Sequence, residues 1–245
     1  MSHLPYELNQ LVELAYEYED EESRRDLLRR ITDFFLVEPS SYTRTQNDYF
    51  GDIMEKLAYD LESQVREELA REIGAVADAP RKLVKRLAGD EIAVARPILE
   101  QSPVLTQDDL IDLSQRIGQE HLLAISKRED ISTNLSTVLV NRGRDDVVES
   151  LVRNEAAEIA PEDVQQVANR AKISVKLQSA LIDRQDVPRT ILIDLIEHVS
   201  DKLKRTFLDT LTDADAEKLD DIVRSIRADI ETSEKSDAEH CVEDL

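Results

Sequence analysis

From Ala79 onward the chain repeats itself, and this constrains its fold more than any other feature. The segments "APRKLVKRLAG", "TQDDLIDLSQRIG", "STNLSTVLVNRG", "APEDVQQVANRA" and "VPRTILIDLIEHV" start at positions 79, 106, 132, 160 and 187, at successive intervals of 27, 26, 28 and 27. Each is followed by a second run: "DEIAVARPILEQ", "QEHLLAISKRED", "DDVVESLVRNEA", "SVKLQSALIDRQ" and "DKLKRTFLDTLT". Each unit therefore reads as two short helices joined by tight turns. One such pair cannot bury its apolar face alone. Stacked pairs bury a continuous core in which each unit touches its neighbours.

Helix-end chemistry recurs at the same places. Thr106 and Ser132 suit N-caps, and Pro161 and Pro188 suit a first helical turn. Gly89, Gly118 and Gly143 follow first helices, where a left-handed residue ends a helix at little cost. One unit breaks a rule: Pro97 lies inside "DEIAVARPILEQ". A helix starting at Asp90 puts Pro97 past its first turn. There it removes a backbone hydrogen bond and clashes with the Ala93 carbonyl. This predicts a bend near Arg96, with Ile92, Ala95, Ile98 and Leu99 facing the core. It also predicts an outer i,i+4 pair between Arg96 and Glu100.

The part before Asp78 reads differently. Helical spacing of apolar residues predicts helices over Pro5–Glu19, Glu22–Val37, Thr45–Tyr59 and Glu62–Val76, the last two separate or joined into one bent element. Three of the four Phe (Phe34, Phe35 and Phe50) and all six Tyr lie in residues 1–60. This part packs with aromatics and the remainder with aliphatics. The reading is an N-terminal helical cap over 1–77, a helical-repeat array over 78–211, a capping helix over 212–231 and a disordered acidic tail over 232–245. In fold class it is all-α: a HEAT-like α-solenoid of about five helix pairs with an N-terminal helical cap. With 5 Gly and 7 Pro, the chain lacks the regular turn residues a strand-rich fold needs.

Net charge is −22, and 1–77, 78–211 and 212–245 carry −10, −4 and −8. Such a field repels phosphate backbones and anionic membranes. The single Cys241 excludes a disulfide framework and a cysteine zinc site. The opening "MSHLPYELNQLVELAYEYEDEE" is not expected to be a signal peptide. No apolar run long enough for a membrane span is present. The expected location is cytoplasmic.

The stretch "DAPRKLVKRLAGDEIAVARPILEQSPVLTQDDLIDL", followed by "QEHLLAISKREDIS" and "VNRGRDDVVESLVRN", resembles an alphaproteobacterial family known as domain of unknown function 2336. The resemblance covers roughly Leu27 to Phe207, and "DEIAVARPILEQSP" is its most specific block. It implies a HEAT-like helical array and carries no activity, cofactor or site residue.

Three groups of residues invite a chemical reading. His3, His121, His198 and His240 show no metal-ligand spacing. The carboxylate pairs Asp90/Glu91, Asp108/Asp109, Asp145/Asp146 and Glu162/Asp163 resemble acid/base pairs. All four also fall where a helix first turn is expected, and there they favour the helix dipole. Basic clusters at Arg24/Arg25/Arg29/Arg30, Arg81/Lys82/Lys85/Arg86 and Lys202/Lys204/Arg205 have acidic neighbours. They read as solvated faces with ion pairs rather than a nucleic-acid stripe. No phosphate-binding Gly loop or nucleophile motif occurs.

No catalytic, cofactor-binding or metal-ligating residue and no cofactor is therefore assigned. The expected function is non-enzymatic: a protein–protein interaction scaffold or regulatory adaptor on a curved surface. Its partner is an unidentified protein, with a basic patch to match the acidic field. The alternatives are a nucleic-acid-associated protein, or a hydrolase, on the same scaffold.

Overall fold

The structure, a computed structural model, describes residues 20–196. The helix predicted over Pro5–Glu19, the second run of the fifth unit, the capping helix over 212–231 and the acidic tail lie outside the described residues. So do His3, His198, His240, Cys241 and the Lys202/Lys204/Arg205 cluster.

The described residues form twelve α-helices and one 3-10 turn (Pro39–Ser41), with no strand among them. The helices are α1 (Glu21–Val37), α2 (Arg44–Tyr59), α3 (Ser63–Ile73), α4 (Arg81–Ala88), α5 (Ile92–Gln101), α6 (Gln107–Ser114), α7 (Gln119–Ile125), α8 (Thr133–Arg142), α9 (Asp145–Arg153), α10 (Pro161–Ala171), α11 (Val175–Asp183) and α12 (Arg189–Ile196). Helices α2 and α3 are separate, parted at Asp60–Glu62. From Arg81 to Asp183 the two helices per period stand where the repeat placed them, and the first helix of the fifth unit follows at Arg189–Ile196.

The helices pack in two rows. Along one row α2 packs on α4, α6 on α8, α8 on α10 and α10 on α12. Along the other α1 packs on α3, α3 on α5, α5 on α7, α7 on α9 and α9 on α11. Within each unit the two helices pack together, as α4 on α5 and α10 on α11. The core follows from i, i+3, i+4 spacing on each helix. Leu83, Val84 and Leu87 of α4 are buried, as are Val147, Val148, Leu151 and Val152 of α9. These side chains join one continuous apolar cluster from Leu27 to Leu195. At its N-terminal end the packing is aromatic. The Phe50 ring centroid lies 4.7 Å from Tyr42, 5.2 Å from Phe35 and 6.2 Å from Phe34.

Thr106 and Ser132 cap α6 and α8, and Pro161 opens α10. Pro188 sits one residue before α12. The glycine expectation is corrected: no described glycine has positive φ. Gly89 and Gly143 do end α4 and α8, but at φ −100° and −70°. Gly118 is instead the N-cap of α7. At Gly143 the need is space. A Cβ there would meet the Leu139 carbonyl oxygen at 2.5 Å and the Val147 side chain at 2.8 Å.

The proline-bearing helix also differs from expectation. It starts at Ile92, after N-cap Glu91, and runs unbroken through Pro97 to Gln101. Val94, Ala95, Ile98 and Leu99 are buried, whereas Ile92 is half-buried. Ile92 stands at the very start of the helix, and Val94 shares the inner face with Ile98 at i,i+4. Glu100 does not pair with Arg96; it accepts from Lys127 of the next unit at 3.2 Å. The α3 backbone lies against this helix, since a Cβ on Gly74 would stand 3.2 Å from the Pro97 carbonyl oxygen.

Candidate functional site

The polar residues that matter most sit at the junctions between units. A helix C-terminus leaves carbonyls without intrahelical donors. In this molecule an arginine from the following unit supplies the donors. Arg128, after α7, is 3% exposed, and its Nη1 and Nη2 each donate at 3.0 Å, to the Leu99 and Ser102 carbonyls at the end of α5. Its Nε donates to Asp130 at 2.7 Å. Arg184, after α11, is 6% exposed and does the same at the end of α9. It donates to the carbonyls of Val152 at 3.1 Å, Asn154 at 2.7 Å and Ala157 at 2.7 Å, and it pairs with Asp186. At the intervening junction Asn154 donates to the carbonyls of Ser126 at 3.1 Å and Arg128 at 2.6 Å.

The first-helix row uses the same device. Arg142 donates to the Ser114 carbonyl, and Arg170 to those of Val140 and Gly143, both at 3.1 Å. Amide side chains bridge adjacent turns. Gln119 donates to the Arg142 carbonyl at 3.0 Å and accepts from the Arg144 N–H at 2.8 Å.

The four carboxylate pairs meet different fates. Asp108/Asp109, Asp145/Asp146 and Glu162/Asp163 lie in first turns, as expected. Asp90/Glu91 lie just before α5. One member of each pair is already committed. Asp90 accepts from Arg66 at 2.7 Å. Asp109 caps Thr106 and accepts from Arg81 at 2.5 Å and Lys85 at 2.8 Å. Asp145 accepts from Arg170 at 2.6 Å, and Asp163 from Thr137 at 2.6 Å. Burial pushes the Asp109 carboxyl up, but Lys85, Thr106 and Arg81 outweigh it and hold the group at about 2. Arg170 holds Asp145 below the usual carboxylate range. At Asp90 burial again opposes, and the Arg66 bond with the Glu91 N–H and Tyr59 wins. Charge-paired, ionised carboxylates of this kind hold helices together and are poorly poised to give up or take a proton.

His121 is half-buried, and its Nε2 lies 2.8 Å from the Asp90 carbonyl. This places it on the rim of a polar cluster in which Arg66 and Arg86 lie over the Tyr59 ring, at 5.0 and 3.8 Å from its centroid. Burial and then the Asp90 bond drive the Tyr59 phenol well above its ordinary range. Among the described residues no three His, Cys, Asp or Glu side chains group as metal ligands.

Of the basic clusters, Arg81, Lys82, Lys85 and Arg86 each have a carboxylate partner: Asp109, Asp52, Asp109 and Glu55. Arg25 and Arg29 pair with Glu62 and Glu68. The surface also carries three open clefts. The largest of the three, ≈ 600 Å³, is lined by Tyr42, Arg44 and Asn47, by Ala77–Ala79, by Arg81, Lys82 and Lys85, and by Asp48 and Val104. Its cations are balanced by Asp48 and Asp78 in its wall and by the Asp52 and Asp109 pairs. The other two, of ≈ 530 and ≈ 510 Å³, lie side by side along the second-helix row and share Lys127.

A family model described as "uncharacterised protein conserved in bacteria (DUF2336)" matches residues 94–245, more than half of the chain. This chain belongs to the DUF2336 family. The match opens at Val94 inside α5, later than the Leu27 suggested by the sequence, and it runs to residue 245 rather than to Phe207. In this DUF2336 member the arginines at 128 and 184 and the α6–α12 helices all fall within the matched region. No curated protein matches the chain, and no solved structure does.

The residues of this network that sequence reasoning missed are the inter-unit arginines. Their signal is present in the sequence: "KREDI" around Arg128 and "DRQDV" around Arg184 share an Arg-x-Asp-aliphatic pattern, two repeat lengths apart.

Proposed function

We propose that the two rows are a HEAT-like α-solenoid of about five helix pairs, with residues 1–77 as its N-terminal cap and 212–231 as its closing helix. On that basis the protein is a non-enzymatic protein–protein interaction scaffold or regulatory adaptor. The observation that carries this reading is the packing order: the described helices touch near neighbours in sequence, so that among the described residues the outer faces of both rows are left as extended surfaces. The two adjoining clefts along α5, α7 and α9 are one stretch of such surface. Engagement of the carboxylates by cations and N–H groups supports a structural role over an acid/base one.

The partner we infer is a protein with a basic patch, steered by a chain of net charge −22. A cytoplasmic setting fits the reading, and no described helix is long and apolar enough to cross a membrane. The test is affinity capture from native lysate with the intact chain and with a chain lacking residues 78–211. A reproducible partner that is held by the intact chain and lost with the array is expected. Equal recovery by both would overturn the assignment to the array.

A further inference from the structure

Most successive units are joined twice, once in each row: α6 on α8 with α7 on α9, and α8 on α10 with α9 on α11. One junction is built differently. Among the described residues, α5 against α7 is the one extensive helix packing between the helices up to α5 and those from α6 on, and α4 and α6 touch less than the paired helices of the other junctions. The connecting loop runs from Ser102 to Thr106.

The two sides of this junction are held by different forces. On the α5–α7 side, Leu99 and Leu122 are buried in the core, Arg128 bonds the end of α5, and Lys127 meets Glu100. His121 reaches the Asp90 carbonyl on the same side. On the α4–α6 side Leu105 and Leu110 are buried in the same core, and long charged side chains cross the surface above them. Asp109 of α6 takes Arg81 and Lys85 of α4, and Arg81 also donates to the Val104 carbonyl in the loop at 2.7 Å.

We propose that the molecule hinges at residues 102–106, with α5 against α7 as the pivot and the Arg81–Asp109–Lys85 ion pairs as a latch across the α4–α6 side. A single line of packing permits rotation about itself while its apolar contacts persist, whereas two lines do not. The latch is the releasable part. Asp109 is buried, but Arg81 and Lys85 are about half exposed, so water and salt compete for them. Release would widen the gap beside the ≈ 600 Å³ cleft, whose wall includes Arg81, Lys85 and Val104. It would also change the curvature of the stack. The hinge follows from packing order and stands apart from the identity of any partner.

The test uses the full chain with Cys241→Ser, since Cys241 is its single cysteine. Spin labels go on cysteines replacing Lys82 of α4 and Asp112 of α6, both exposed. A control pair replaces Asn134 of α8 and Gln165 of α10, also exposed. Pulsed dipolar spectroscopy then reads both distances. D109N, R81Q/K85Q and molar salt are each expected to move the 82–112 distribution to longer, broader distances and leave the 134–165 distribution in place. An 82–112 distribution unmoved by R81Q/K85Q and by salt would overturn the hinge. Should D109N lose helical circular dichroism, R81Q/K85Q decides alone, because it keeps Asp109 on the Thr106 cap.

Discussion

At the residue scale, this chain uses charge to finish backbone hydrogen bonding. The guanidinium is suited to the task because its planar fork reaches several carbonyls and a carboxylate at once. Arg184→Ala and Arg128→Ala should each lower stability by about 2–3 kcal/mol, since buried carbonyls lose their donors. Replacement by Lys should recover part of that loss. Urea unfolding of the four variants measures both. Asp109 gives a pH prediction. Its carboxyl is held at about 2 in the fold, below its ordinary 3.8. Its contribution is therefore fully present above pH ~4 and is lost as pH falls towards 2. After allowance for the half-exposed cations the loss is about 1–2 kcal/mol. Melting temperature recorded against pH should decline less steeply over that window in D109N. Little of this was legible in the sequence. Acids near helix starts were visible, and three of the four pairs stand in first turns. Their partners, cations for Asp109 and Asp145 and the Thr137 hydroxyl for Asp163, come from the helices of a neighbouring unit, a pairing that depends on the angle between units. In a chain with 34% charged residues, Arg128 taken alone looks like any surface arginine, and only its pattern shared with Arg184 sets it apart.

At the element scale, periodicity placed the helices well and helix ends less well. The regular interval between unit starts gave two helices per unit because apolar spacing survives changes of residue identity. The glycine expectation failed because a turn between short helices can close with ordinary negative φ. Glycine at such a turn is there for room or for no steric reason. This separates three substitutions. Gly143→Ala and Gly74→Ala should each destabilise by about 1–3 kcal/mol, because a Cβ meets backbone oxygen at 2.5 and 2.8 Å. A methyl on Gly118 has nothing within 4 Å, and this residue sits at an N-cap. Gly118→Ser should therefore be neutral or stabilise by about a few tenths of a kcal/mol. Thermal melts of the three proteins check the order. Pro97 is tolerated because α5 is packed by α3, α4 and α7, so tertiary contact compensates for the missing hydrogen bond.

At the scale of the whole molecule, the helices form an ordered double row on a chain of net charge −22. The charge was legible from composition and the row from the repeat. The junction between α5 and α6, with its one extensive helix packing, was not, because both flanking units have normal length and normal apolar spacing. It became visible only in which helices touch. In the proposed open stack, distant units stay apart. Lysine cross-linking of the full-length monomer at low concentration tests this most directly. Lys56 of α2 is four helix positions along the row from α10, which Lys172 caps and which Lys176 of α11 follows, about 32–40 Å at 8–10 Å per position, but α2 packs on α4 directly. The stack predicts cross-links from Lys56 to Lys85 and none from Lys56 to Lys172 or Lys176. Recovery of an intramolecular link from Lys56 to Lys172 or Lys176 would contradict it.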